Sequence, residues 1–451
     1  MQKRNLLIII LFLFTGTIGW SAERIRQNFD FDWQFRLGEQ GIYKPVQLPH
    51  DWSIELDFNE EVGPESGYLP GGIGYYKKDF NVPASYKGKR VSIVFDGIYH
   101  KATIYLNGQE VDYHRYGYTS FETDLTPYLK YGGKNTLSVK VDHSEKSRWY
   151  TGSGIYRHVW MQVTNPIHVK MWGTYITTPR VSAESAIVSC VTTVANTSAL
   201  TGEIEIMQRI VDAQGNLLKI NGKQYAARTE VVMPENGTKD IAQSFTLSNP
   251  QLWNLEKPYL YRLETILKQK GKVIDRYTTR FGVRTIGFDK DKGFFLNGKN
   301  IKMKGACLHQ DAGCLGVAVP NRSYERRLTI LKEFGANAIR CSHNPPSPEF
   351  LNYCDSIGFL VVDEAFDKWK SGYYEQFFDE CWQQDIRDMI VRDRNHPSIV
   401  LWSIGNELAE ATRKDNVGVE RATLLRDFVH KLEPTRPTML ALAPAYRSEE
   451  H

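Results

Sequence analysis

Asn406-Glu407 follows directly on the apolar run Ile399-Val400-Leu401-Trp402-Ser403-Ile404-Gly405. A carboxyl group leaving so apolar a run is expected to be desolvated. Desolvation raises a carboxyl pKa towards the range in which it serves as a general acid near neutral pH. Three more polar clusters close short apolar runs upstream: His309-Gln310-Asp311, Arg340-Cys341-Ser342-His343-Asn344-Pro345 and Asp363-Glu364. Collected on one rim, these groups could carry acid and base chemistry. Taken one by one they read differently: Glu407 equally as a surface ion-pair residue, Arg340 as an internal brace, and His309 as a rim hydrogen-bonder. Asp363 and Glu364 read as hydrogen-bond acceptors rather than catalytic groups. None of the six cysteines is spaced as a metal ligand, and free buried thiols are the expected state of Cys190, Cys307, Cys314, Cys341, Cys354 and Cys381.

Something must bring the four clusters together, and the pattern after Gly298 supplies it. Ile301–Ala306 reads as a strand before a helix over Tyr324–Phe334. Ala338–Arg340 precedes a helix opened by Ser347 as N-cap and Pro348 at its first position. Phe359–Asp363 precedes a helix near Phe377–Arg392, and Ile399–Ile404 a helix with the stripe Leu424, Leu425, Phe428, Val429 and Leu432. Four strand-helix units in tandem argue for a parallel sheet closed by helices, with a fifth strand at Thr438–Leu442. In a (β/α)8 barrel the catalytic side chains stand at the C-terminal ends of the strands, where these clusters fall. A complete barrel takes ~250 residues, so an incomplete (β/α)8 TIM barrel is expected at 288–451.

Two strand-rich regions come first. Residues 23–165 alternate apolar and polar positions between turn residues, and Asn107-Gly108 is a strong hairpin signal, so a β-sandwich is expected. Residues 166–287 hold a second strand series with turns spaced as in an immunoglobulin-like sandwich. The N-terminus, Lys3 and Arg4 before the apolar run Leu6 to Phe14, has the layout of a signal peptide over 1–22, which implies export to the periplasm or outside. No run is long enough for a stable membrane span. With 24% charged residues and a net charge of +4, no basic patch interleaved with aromatics suggests a nucleic-acid partner.

The stretch "RCSHNPPSPEFLNYCDSIGFLVVDEA" with "RDRNHPSIVLWSIGNE" resembles glycoside hydrolase family 2, whose barrel motifs are Arg-x-Ser-His-x-Pro and an Asn-Glu pair ending the fourth strand. "LPHDWS" (Leu48 to Ser53), "YYKKDF" (Tyr75 to Phe80) and "GSGIYRHVW" (Gly152 to Trp160) look like that family's sugar-binding sandwich, and "FGVRTIGF" (Phe281 to Phe288) like its hinge. The resemblance covers about residues 25 to 440. It implies a jelly-roll-like sugar-binding β-sandwich, an immunoglobulin-like β-sandwich and the barrel.

The resemblance makes Glu407 the catalytic acid/base and Asn406 a hydrogen-bond partner of the sugar hydroxyl beside the anomeric carbon. It makes His343 and His309 sugar-binding or transition-state-stabilising groups, and Arg340 an orienter of carboxylates. Arg148, Trp149 and Tyr150 lie on a sandwich loop of the kind that reaches the barrel mouth. Some members use magnesium, but Lys368 after Phe366-Asp367 is a poor ligand neighbour, so no cofactor is assigned. The implied reaction is hydrolysis of terminal non-reducing β-glycosidic bonds by a retaining, two-carboxylate mechanism. β-Galactosides are favoured because "LPHDW" and "GSGIYR" look most like that branch, and β-glucuronidases and β-mannosidases share the scaffold. The partner is a β-linked oligo- or polysaccharide, and a homo-oligomer is compatible. The family's nucleophile ends a seventh strand, which this sequence does not reach: Glu410, Glu420, Glu433, Glu449 and Glu450 are all placed wrongly. The printed chain is therefore expected to be incomplete and inactive alone, and a catalytically inactive carbohydrate-binding remnant is the competing reading.

Overall fold

The computed structural model describes residues 23–145, 147–220, 223–370, 373–408 and 416–443. The expected signal segment, Glu410, Glu449 and Glu450 lie outside them.

The first sandwich faces a four-stranded antiparallel sheet (Ile25–Asn28, Val159–Thr164, Arg90–Phe95, Phe121–Asp124) against a six-stranded one. The longest pairing in the latter runs from Gly72 opposite His143 to Val82 opposite Gly133. Inward alternate strand positions fill the core with Trp33, Tyr76, Ile93 and Phe95, joined by Trp52 from the short helical turn Trp52–Glu55. Asn107 and Gly108, with φ of 53° and 84°, join Ala102–Leu106 to Gln109–His114, as the primed turn of a two-residue hairpin requires. In the second sandwich Ser185–Asn196 buries every other residue, and sheets of three and four strands enclose Val188, Ile210, Phe245 and Leu263.

Five parallel strands follow, Gly305–Leu308, Ala338–Cys341, Leu360–Glu364, Ile399–Ser403 and Thr438–Met439, each paired with its neighbour in sequence. Helices Asn321–Glu333, Pro348–Ile357, Phe378–Asp393 and Val417–Leu432 cover the sheet. Ser347 caps its helix, its side chain accepting from the Phe350 amide, with Pro348 at the first position.

Three expectations need correction. The first barrel strand starts four residues later than expected, because Lys299–Asn300 closes a small antiparallel sheet with Gly293–Leu296 and the Ile301 amide donates to the Phe294 carbonyl. Leu424 does not join the apolar stripe: it is exposed, while Leu425 and Val429 face the core. All six cysteines are free, but Cys307 and Cys314 are exposed and Cys381 is half-buried: Cys307 lies on the first parallel strand with its Sγ 3.8 Å from Arg340 Nη1, and Cys314 lies in the tight turn Gly313–Leu315.

Both sandwiches are tied to the barrel. Arg157 donates to the Tyr118 carbonyl at 2.9 Å within its sandwich and to the Pro345 carbonyl at 2.8 Å across the junction. The Tyr116 hydroxyl reaches the Ala365 carbonyl at 2.7 Å, and buried Asp51 accepts from the Val317 amide at 3.0 Å. Tyr99, Tyr116, Tyr118 and Tyr156 belong to the same apolar core as barrel residues Phe366, Trp369 and Trp402. On the other side Asn395 exchanges hydrogen bonds with the backbone of Thr174 and Ile176. Among the described residues no helix is long and apolar enough to cross a membrane.

Candidate active site

The strand ends deliver the four clusters to one rim. Glu364, fully buried at the end of the third strand, accepts from Arg340 Nη2 at 2.6 Å, Arg340 Nε at 2.9 Å and Ser403 Oγ at 2.6 Å. Its other oxygen lies 2.6 Å from His343 Nδ1. With Nδ1 donating there, His343 Nε2 is free to accept from Asn406 Nδ2, 3.3 Å away. The Asn406 amide oxygen accepts from Arg340 Nη2 at 2.8 Å, and its nitrogen donates to Asp367 Oδ1 at 2.7 Å. Arg340, His343, Glu364, Asn406 and Asp367 thus form one hydrogen-bonded network.

His309, from the first strand end, stands with its ring centre 5.4 Å from that of His343, and Trp149 from the sandwich lies 5.5 Å and 5.6 Å from the two. Burial and then the neighbouring His343 lower the His309 pKa, favouring the neutral ring. Its buried Nδ1 has no partner among the described residues. A neutral imidazole beside an indole face offers a sugar one polar and one apolar surface. Asp363 points the other way, into the core, where burial and the nearby Asp393 push its carboxyl well up.

Glu407 departs from expectation. Its side chain is 55% exposed and its φ is 47°, so the turn after Gly405 carries it out of the apolar strand towards solvent. Arg148 Nη2 approaches its Oε2 to 2.9 Å and Lys368 Nζ to 3.0 Å. Those hydrogen bonds, Arg148 first and Lys368 second, hold the carboxyl down at about 2 rather than raising it. Lys368 also donates to the Glu407 carbonyl at 2.8 Å, fixing the turn itself. The residues present do not fit a divalent cation beside Glu407: an ammonium holds that position, and the described residues contain no metal-holding cluster of three or more His, Cys, Asp or Glu.

The strand-end order made His309, Arg340, His343, Asn406 and Glu407 legible, and the structure brings all five to the rim. Asp367 and Lys368 were read only as a poor metal site, and Tyr116, Tyr118 and Tyr374, which line the cleft beside Arg148, were not singled out. The run "SRWYTGSGIYR" was the available signal for the loop that supplies Arg148 and Trp149.

Three family models match in succession: the sugar binding domain of glycosyl hydrolases family 2 over residues 30–166, the central family 2 domain over 167–284, and the family's TIM barrel domain over 289–442. The chain belongs to glycosyl hydrolases family 2. Among family 2 relatives, β-galactosidase BoGH2A of Bacteroides ovatus is 44% identical over 91% of this chain and 50% of its own length. A putative β-glucuronidase of Formosa agariphila is 36% identical over 97% of this chain and 42% of its own. The crystal structure of a family 2 member from Bacteroides cellulosilyticus superposes with a TM-score of 0.87 at 39% identity, over 92% of this chain and 56% of that one. The chain spans about half the length of the curated family 2 relatives it matches.

Proposed function

We propose that this chain supplies the acid/base side of a retaining glycosidase that hydrolyses terminal non-reducing β-glycosidic bonds, with β-galactosides as substrates. The observation that carries the reading is the rim itself: Asn406 and Glu407 end the fourth parallel strand beside Arg340, His343 and His309, with Trp149 reaching over from the sandwich. Glu407 protonates the leaving oxygen in the first step and takes a proton from water in the second. A second carboxylate about 5–5.5 Å away attacks the anomeric carbon. Among the described carboxylates near the rim, Glu364 is committed to Arg340, His343 and Ser403, Asp367 to Arg148 and Asn406, and Asp311, after the first strand, accepts from the Gly313 amide at 3.2 Å. The nucleophile therefore comes from outside the described residues in this reading. Asn406 binds the sugar hydroxyl next to the anomeric carbon by exchanging its bond to Asp367, and the His309 ring beside His343 and Trp149 meets a further part of the sugar. The named β-galactosidase relative supports galactose as the sugar. Export, resting on the basic and then apolar N-terminus, belongs to the same reading.

A panel of aryl β-glycosides tested on the full-length protein decides the sugar. Galactoside turnover above glucuronide and mannoside is the expected result, and a large preference for glucuronide moves the assignment to another branch of the family.

A further inference from the structure

Arg148 belongs to the sandwich, yet its guanidinium ends between two barrel carboxylates. Nη1 lies 2.5 Å from Asp367 Oδ2, and Nη2 lies 2.9 Å from Glu407 Oε2. The two ends meet different surroundings. The Asp367 side chain is 10% exposed and held from behind by Asn406, whereas that of Glu407 is 55% exposed. One half of the fork is therefore anchored, and the other half faces water.

We propose that Arg148 is a positioning residue for Glu407: pivoting on Asp367, its guanidinium holds Glu407 as a carboxylate before substrate enters and yields it to the glycosidic oxygen. The inference rests on the reading of Glu407 as acid/base and adds a residue from another domain to it. A carboxylate gripped by two cations has no proton to give. Entry of the glycosidic oxygen takes the place of Nη2, and the carboxyl, left with Lys368 as its one cationic partner, then binds a proton from solvent. That proton passes to the leaving oxygen as the anomeric C–O bond breaks, the bond's electron pair staying on that oxygen. In the second step Glu407 takes a proton from the attacking water, and the return of Nη2 expels it to solvent. The group is then reset.

Among the described residues, the charged groups facing Glu407 are Arg148 from the sandwich loop and Lys368 with Asp367 from the segment after the third strand, and the second carboxylate of the proposed reaction joins them from outside these residues. Arg340 and His343 stand one residue further off, behind Asn406. Arg148 is the first of the groups that hold the Glu407 carboxyl down at about 2. A guanidinium can bridge two carboxylates, whereas a lysine ammonium is a single point charge.

The test is the titration of Glu407 in protein labelled with 13C-glutamate, its signal identified by its loss in Glu407→Gln. The unaltered protein should keep Glu407 ionised well below the usual glutamate midpoint of about 4.3. In Arg148→Gln the midpoint should rise by about one to two units, as expected for loss of an adjacent opposite charge. In Arg148→Lys it should rise by less. In the full-length protein, the alkaline limb of kcat/KM, which reports the free enzyme, should shift to higher pH in Arg148→Gln. A residue that only braces the domain junction would change stability and leave both readouts in place. An unmoved Glu407 titration in folded Arg148→Gln, or in Arg148→Lys should the first variant not fold, overturns the proposal. Failure of the underlying reading looks different: Glu407→Gln would then retain its activity on poorly activated glycosides.

Discussion

Glu407 and Glu433 both sit where the barrel meets a sandwich, and both are held as carboxylates at about 2, but by opposite means. Glu433 is fully buried under the sheet. Burial works against its charge and is outweighed by Arg436, then by hydrogen bonds from Thr435, Trp402 Nε1 at 3.0 Å and the Tyr175 hydroxyl at 2.8 Å. Glu407 is open to water and depends on two long cationic side chains. A buried set of partners leaves only when the protein opens. Exposed partners can be exchanged one at a time, which a site that must admit substrate requires.

The largest expected effect separates the two by activity. Glu407→Gln in the full-length protein should lower turnover of a poorly activated β-glycoside by ~10²–10⁴, with a smaller loss on aryl glycosides that have good leaving groups. Its melting temperature should barely move, because exposed ion pairs contribute little. Steady-state kinetics beside a thermal melt checks both, and full activity on the poor substrate would remove Glu407 from its role.

Glu433→Gln should behave in the reverse manner. It leaves Arg436 buried without its partner, and breaking a buried pair costs about 3–5 kcal/mol. Chemical unfolding should show the loss, and an unchanged midpoint would mean that Glu433 does not tie the barrel to the second sandwich.

The pH dependence sharpens the comparison further. The Glu433 pKa is lower in the folded state than its unfolded value of about 4.3, so its contribution is present above that pH and is lost as pH falls through about 2. Stability measured between pH 5 and pH 3 should therefore fall more steeply in the unaltered protein than in Glu433→Gln. Parallel curves would contradict the assignment.

The smallest effect is that of salt. Raising ionic strength from about 0.05 M to 0.5 M shortens the screening length to a few ångströms, so the Glu407 midpoint should drift upwards while that of Glu433 stays in place. Glutamate 13C shifts followed at both ionic strengths read this directly.

Much of the fold is written locally. Period-2 alternation marks the sandwiches, Asn107-Gly108 makes a hairpin whatever surrounds it, and Ser347 with Pro348 opens a helix through bonds within four residues. The first barrel strand was displaced because its expected start, Ile301, is captured by a neighbouring hairpin, and periodicity does not show such competition. The positions of the site residues were equally legible, since strand-end order places His309, Arg340, His343 and Asn406 on one rim.

The state of Glu407 was not legible. The apolar run before it promised a raised pKa, but a turn with φ of 47° takes the side chain out of that environment and into reach of Arg148, 259 residues earlier in the chain. Glu433 gave no signal beyond closing a helix, yet its partner Tyr175 lies 258 residues away. Sequence by itself determined the elements, their order and the residue types on the rim, because those follow from short-range periodicity and turn chemistry. Only the tertiary structure decided which carboxylates carry charge and which can exchange partners. Charge and desolvation are summed over everything nearby in space, and for each of these groups that sum includes a side chain from another domain, Arg148 for Glu407 and Tyr175 for Glu433.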